Sequence, residues 1–133
     1  MSRRLSVTAL SLLAVCLALP SCSPRGRVSQ PSAVAEPARQ FVALLAKGDF
    51  ATAAASFDAT MKQAMPPDKL GEAWGQLTAK LGAFQRQTGV RTATEQGYDV
   101  AYVTCAFASA NADVKVVFDG AGQISGLWLL PSR

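Results

Sequence analysis

From Ala38 onward, hydrophobic side chains recur every three or four residues, the spacing of one face of an α-helix. Gly48 is suited to end a first helix, and Asp49 is placed to cap a second helix that continues to Met65. Pro66-Pro67 ends that second helix, because an interior proline loses a backbone hydrogen bond and clashes with the preceding turn. The same pair opens a third helix, whose apolar stripe is Leu70, Trp74, Leu77, Leu81 and Phe84.

After Gly89 the pattern changes to alternation, which is typical of strands with one buried face. It predicts strands at residues 90–95, 98–109, 112–118 and 123–130, with turns at 96–97, 110–111 and 119–122. The order of elements predicts an α+β domain: three N-terminal helices packed on a curved four-stranded antiparallel sheet.

The two faces of this sheet differ in composition. A two-residue turn at 110–111 would pair Cys105 with Val116, and a turn at 120–121 would pair Val114 with Leu127. Both turns predict the same core face. The opposite face then carries Tyr102, Val117, Ile124 and Trp128, beside Arg91, Asp113 and Lys115. Because that face is too apolar to be fully solvated, we expect a ligand, the chain's own tether or a second copy to cover it.

The N-terminal residues have the three parts of an export signal. Arg3 and Arg4 are followed by an apolar run over residues 5–19, and Pro20-Ser21-Cys22 closes the segment. The run is shorter than the roughly 20 residues that a permanent transmembrane helix needs. We therefore predict a signal peptide over residues 1–21.

The residues around Cys22 resemble a bacterial lipobox. Leu19 and Ser21 fit that pattern, while Pro20 is unusual in it. The thiol of Cys22 would accept a diacylglycerol group, which predicts a lipid-anchored envelope protein, facing the periplasm from an outer membrane if the cell has one. The alternative is simple cleavage, with Cys22 as a bystander. Residues 22–37 are rich in Ser, Pro and small side chains and predict a flexible tether, so the single domain is predicted at residues 38–131.

Charge and composition exclude several functions. The chain has 133 residues with 13 Lys and Arg against 9 Asp and Glu, and two of the basic residues lie in the export segment. So small a surplus gives no case for nucleic-acid binding. The chain has no histidine, which removes the usual general base and the commonest metal ligand. Without such a base, Cys105 in its apolar run is predicted to be a buried structural thiol.

No motif in the sequence supplies catalytic groups. The glycine-rich segment at residues 120–126 misses the spacing of a dinucleotide loop and of a nucleophile elbow, and is explained better as a hairpin turn. Asp49, Asp58 and Asp68 fall at predicted helix ends, where capping explains them. We therefore expect no cofactor and no metal site.

The helical half resembles a known bacterial family. Gly48-Asp49-Phe50, the segment from Phe57 to Lys62, the segment from Met65 to Leu70, and Trp74 are similar to the pattern of the domain of unknown function 3887. The resemblance covers roughly residues 38–131 and implies a cone-shaped α+β domain related to the nuclear transport factor 2-like and cystatin-like folds. It implies no activity. Such domains often precede an α/β-hydrolase, and because only Pro131, Ser132 and Arg133 follow the last predicted strand, we expect no hydrolase in this chain.

These observations favour a non-catalytic binding or interaction module over an enzyme. Its partners would be the membrane, through the N-terminal lipid, and a ligand, a second copy or an envelope protein. One alternative is an enzyme that uses a pocket inside the cone, lined by Trp74 and Tyr98. Another is an accessory domain that acts beside a separately encoded hydrolase.

Overall fold

The computed structural model describes residues 31–132. A 3-10 turn, Pro31–Val34, leads into α1 (Ala35–Lys47), α2 (Phe50–Ala55), α3 (Ala59–Ala64) and α4 (Pro67–Leu81). Four strands follow: β1 (Phe84–Glu95), β2 (Tyr98–Phe107), β3 (Asn111–Phe118) and β4 (Ile124–Pro131). They form one antiparallel sheet in the order β1-β2-β3-β4, so the predicted α+β class is confirmed.

The helices begin earlier than the predicted domain boundary at residue 38. The 3-10 turn and the start of α1 occupy residues 31–37, which were predicted to belong to the tether. The reason is apolar burial: Val34 is a member of the hydrophobic core, and burying its side chain favours order in the turn that carries it.

The predicted second helix is in fact two helices. Between α2 and α3, Phe57 forms a parallel bridge with Ile124 at the start of β4. The N–H of Ile124 donates to the carbonyl of Ser56 at 2.8 Å, and the N–H of Asp58 donates to the carbonyl of Ile124 at 2.9 Å. The Asp58 carboxylate then caps α3 by accepting from the N–H of Met61 at 2.7 Å. These bonds replace the helical bonds lost at the break.

Helix α4 is one turn shorter than its apolar stripe predicts. It ends at Leu81, because Gly82 takes φ +85° and ψ −175°, a conformation essentially restricted to glycine. A Cβ at Gly82 would also lie 2.6 Å from the Cβ of Ala108. Phe84 therefore begins β1, not the end of a helix, but its ring still packs against Trp74, with 5.9 Å between ring centroids.

The strand register differs from the predicted one by an even number of residues. Cys105 lies opposite Ala112, and Val114 lies opposite Leu129. The turn between β2 and β3 lies two residues earlier than predicted, at residues 108–109, since the N–H of Phe107 donates to the carbonyl of Ala110 across it at 2.9 Å. An even shift leaves every side chain on its face, so Val103, Cys105, Phe107, Val114 and Val116 all lie in the core as predicted.

Ile124 is the exception, and its predicted place on the outer face is wrong. A register shift between Val117 and Phe118 puts Ile124 opposite Phe118. Ile124 is therefore buried beneath the helices, with 1% of its surface exposed. A bulge of this kind changes the alternation of side chains that the sequence pattern assumes.

Candidate functional site

The outer face of the sheet, which points away from the helices, presents side chains in rows that cross the strands. The central row is Arg91, Tyr102, Lys115 and Trp128, one from each strand. A neighbouring row is Ala93, Val100, Val117 and Gly126. Cross-strand neighbours in such rows are close enough to interact directly.

The central row carries a network of paired charges. Lys115 Nζ lies 2.6 Å from Glu95 Oε2, and the Tyr102 hydroxyl donates to the other oxygen of Glu95. The Arg91 guanidinium lies over the Tyr102 ring, 4.0 Å from its centroid, and pairs with Asp113 at 3.2 Å. The face is thus less apolar than the sequence pattern indicated, because Ile124 lies in the core. The charged side chains of the face pair with one another: Arg91 with Asp113, and Lys115 with Glu95.

These contacts move two pKa values away from neutrality. Hydrogen bonds from Lys115, and then from Tyr102, lower the pKa of the Glu95 carboxyl below its ordinary value. The hydrogen bond to Glu95 raises the pKa of Lys115 above its ordinary value. Both groups therefore keep their charges over the physiological pH range.

Next to this network lies a cleft of about 520 Å³ at the end of the sheet where β1 turns into β2. The first turn of α3 forms one rim and the β1–β2 turn forms the other. Residues from all four strands and α3 line it: Asp58, Thr60, Glu95, Gln96, Tyr98, Val100, Lys115, Val117, Ser125 and Trp128. This volume lies within the range of small-molecule sites, about 300–1,000 Å³.

Two exposed aromatic side chains stand in the cleft. Tyr98 is 46% exposed and Trp128 is 51% exposed, whereas Val100 is fully buried. The indole of Trp128 lies over Gly126: a Cβ at Gly126 would approach Trp128 Cζ3 to 2.5 Å. The missing side chain at Gly126 therefore lets the indole lie close to its own strand.

The β1–β2 turn brings Gln96 to the cleft in an unfavourable conformation. Gln96 has φ +52° and is followed by Gly97 at φ +82°. Positive φ at both central residues is the pattern of a type I′ turn, in which the first position normally carries Asn, Asp or Gly. A longer side chain is disfavoured there, and Gln96 is nonetheless held in this conformation where its side chain lines the cleft.

The residues that the sequence singled out lie in two different parts of the structure, the cleft region and the core. Tyr98, Val117 and Trp128 come together in the cleft, and Tyr102 lies beside it in the charge network. Trp74 lies in the core instead, 7% exposed, with its ring packed against Phe84 and Phe107. Trp74 and Tyr98 therefore do not line one pocket within a cone.

Sequence reasoning missed several residues of the cleft, namely Glu95, Gln96, Val100 and Ser125. Glu95 and Val100 lie on the same face as Arg91 and Tyr102, because each is an even number of residues away along its strand. The alternation of side chains along β1 and β2 could therefore have found them. The bulge near Ser125 and the approach of α3 have no comparable sequence signal.

Cys105 has the environment of a structural thiol. It is fully buried, and it carries no disulfide. Burial, and then the nearby Asp113 carboxylate, raise the pKa of the Cys105 thiol to about 12. A thiol with that pKa is not a nucleophile near neutral pH. Across residues 31–132 no group of three His, Cys, Asp or Glu side chains is arranged to hold a metal ion.

A second groove, of about 630 Å³, lies between the end of α4 and the end of β4. Its lining is dominated by Leu77, Leu81, Leu129, Leu130 and Pro131. It contains neither of the two strongly exposed aromatic rings, Tyr98 and Trp128.

None of the helices in residues 31–132 has the length and hydropathy to cross a membrane. The predicted lipidation site, Cys22, and the predicted signal peptide lie outside the described residues.

We predict that the Glu95 carboxyl titrates below its ordinary pKa, and that Lys115→Met raises this pKa more than Tyr102→Phe does, because Lys115 contributes most to the shift. Since the folded-state pKa is lowered, the contribution of Glu95 to folding is present above its unfolded-state pKa and is lost as pH falls through the folded-state pKa. Carboxylate chemical shifts in an NMR pH titration measure both effects. An ordinary pKa for Glu95 in the wild-type protein would contradict the network.

Comparison with known proteins identifies a family. No curated protein and no solved structure matches the chain. The family model described as "Protein of unknown function (DUF3887)" matches residues 38–127. That span includes α2 to β3 and most residues of the cleft, and it exceeds half of the chain. The chain therefore belongs to the DUF3887 family, as the resemblance of its helical half predicted.

Proposed function

We propose that this protein is a lipid-anchored protein of the cell envelope whose domain is a non-catalytic binding module, with the outer-face cleft as its binding site. The observation that carries the proposal is the cleft itself. It places Trp128 and Tyr98, both about half exposed, around a buried apolar floor and a polar rim. Exposed aromatic side chains beside convergent polar groups are typical of ligand-binding sites.

The electrostatics of the cleft favour binding over acid–base catalysis. A general acid or base works best with a pKa near the working pH. The contacts between Glu95 and Lys115 move both pKa values the other way, so that each group holds its charge. The Asp58 carboxylate is engaged as the cap of α3. These groups are therefore suited to shape and orient a ligand.

The anchor part of the proposal rests on the sequence. The export signal pattern ends at Cys22, and the described part of the chain begins at Pro31. The intervening residues 23–30 would reach at most about 30 Å when fully extended. A lipid on Cys22 would therefore hold the domain close to the membrane surface, where it meets ligands of the envelope, including any on a neighbouring protein.

We expect that Cys22→Ser releases the protein from the membrane fraction and abolishes its metabolic labelling by fatty acid. The thiol is the atom that would carry the lipid, and serine does not replace it in this reaction. Cys16→Ser is the matched control, because Cys16 lies inside the predicted signal peptide and should leave both properties unchanged. Membrane association that survives Cys22→Ser would overturn the anchor.

For the cleft, we expect that a thermal-shift screen of small molecules finds ligands that raise the Tm of the wild-type protein but not of Trp128→Ala. A ligand at 100 times its Kd stabilises the folded state by about 2.7 kcal/mol, which is a readily measured shift. Leu130→Ala is the matched control, because Leu130 is exposed on the same strand and lines the other groove. Ligands that shift all three proteins equally would contradict a site at Trp128.

A further inference from the structure

We propose that the cleft binds an uncharged saccharide chain, with a sugar ring stacked on Trp128 and its hydroxyl groups bonded to the polar rim. This inference rests on the proposed function and specifies the ligand class of the same site. Four properties of the cleft support it: a flat exposed aromatic surface, neutral polar groups on two sides, a lysine paired with a glutamate, and an open shape.

The first property is the stacking surface. Because Gly126 has no side chain, the indole of Trp128 lies against its own strand, with half of its surface exposed. Tyr98 adds a second exposed ring in the same cleft. An aromatic ring face in water favours a ligand with a flat apolar face. A pyranose ring has such a face, formed by its axial C–H groups.

The second property is the arrangement of neutral polar groups. The Thr60 hydroxyl lies on the α3 side of the cleft, and the Gln96 amide lies on the side of the β1–β2 turn. Tyr98 adds another hydroxyl, and so does Ser125, whose Oγ donates to the carbonyl of Val117 at 3.5 Å and can still accept a hydrogen bond. Hydroxyls and amides both donate and accept hydrogen bonds. A ligand with hydroxyls around the whole edge of its ring matches donors and acceptors on two sides.

The third property is the pairing of charges. Lys115 is neutralised by Glu95 at 2.6 Å, so it offers little attraction to a phosphate or carboxylate ligand. Lys115 also lies 5.4 Å from the centre of the Trp128 ring. A cationic ligand that stacked on this indole would be repelled by it. The third charged group of the cleft, the Asp58 carboxylate, accepts the N–H of Met61 at 2.7 Å as the cap of α3. With its charges engaged in this way, the cleft favours a neutral polar molecule over an anion or a cation.

The fourth property is the open shape. The cleft lies between the β1–β2 turn on one side and α3 on the other, and the exposed rings of Tyr98 and Trp128 stand at its opening. A chain of sugar units can continue past such a cleft, whereas a compact ligand would be enclosed by a deeper pocket. The cell envelope, where we place the protein, is rich in saccharide chains.

The test uses the purified full-length protein in a detergent without a sugar headgroup, because alkyl glycosides would compete for the site. Three neutral trisaccharides serve as probes: triacetylchitotriose, maltotriose and cellotriose. Isothermal titration calorimetry measures Kd, and tryptophan fluorescence reports on Trp128, since the other tryptophan, Trp74, is buried. We expect at least one probe to bind with a Kd of about 1 mM or tighter, and to change the fluorescence.

The variants locate the site. Trp128→Ala should weaken binding at least tenfold, and Tyr98→Ala should weaken it severalfold, whereas Leu130→Ala should leave Kd within twofold. Trp128→Phe keeps an aromatic ring and should retain part of the affinity, which preserves the test if Trp128→Ala does not fold. Because the ligand is uncharged, raising the salt concentration should change Kd by less than twofold.

Three results would overturn the inference: no trisaccharide binds, binding survives Trp128→Ala, or affinity falls steeply with salt. The thermal-shift screen tests the proposed function independently of the trisaccharides. If it finds only non-saccharide ligands that require Trp128, the saccharide inference is wrong and the proposed binding module stands. If the screen finds no ligand that requires Trp128, both the binding module and its saccharide ligand are contradicted.

Discussion

The pairing of residues 56–58 with the start of β4 is the constraint on which the rest of the structure depends. Two backbone hydrogen bonds join Ser56 and Asp58 to Ile124. They interrupt a helix that the apolar pattern would otherwise continue, and they bring the fully buried Phe57 into the core beside Phe41. A helix break normally costs backbone hydrogen bonds, and here the sheet edge replaces them. The helical layer is thereby attached to the last strand as well as packed on the sheet.

The same pairing shapes the outer face. It buries Ile124, which removes a large apolar side chain from that face. It also begins α3 beside the edge of the sheet, where Asp58 and Thr60 form one rim of the cleft. The remaining polar side chains of the face satisfy one another through the ion pairs of Lys115 and Arg91. What stays exposed is an aromatic pair around a polar cleft, an arrangement suited to a neutral ligand with one apolar face.

The sequence predicted the fold better than the site, for reasons of spacing. The Asp49 cap, the Pro66-Pro67 break and the β1–β2 turn are local signals, and the structure confirms each. Apart from Ile124, the strand side chains were assigned to the correct face despite the error in register, because that error was even and side chains alternate with period two. The predicted cross-strand neighbours were wrong, however, because with the predicted turns Lys115 would not lie between Tyr102 and Trp128. The bulge beside Ile124 is set by the long-range contact with Phe57, which no local pattern contains.

Amide hydrogen exchange, measured residue by residue by NMR, tests the central claim that residues 56–58 hold the start of β4. The N–H of Ser132 bonds to Asn111 on β3, so by the alternation of an antiparallel ladder the N–H of Leu129 faces the open edge. We predict that the amides of Ile124 and Asp58 exchange slowly, like those of the interior strand β3, whereas the amide of Leu129 exchanges fast. Exchange at Ile124 as fast as at Leu129 would contradict the account, because β4 would then have a free edge along its whole length.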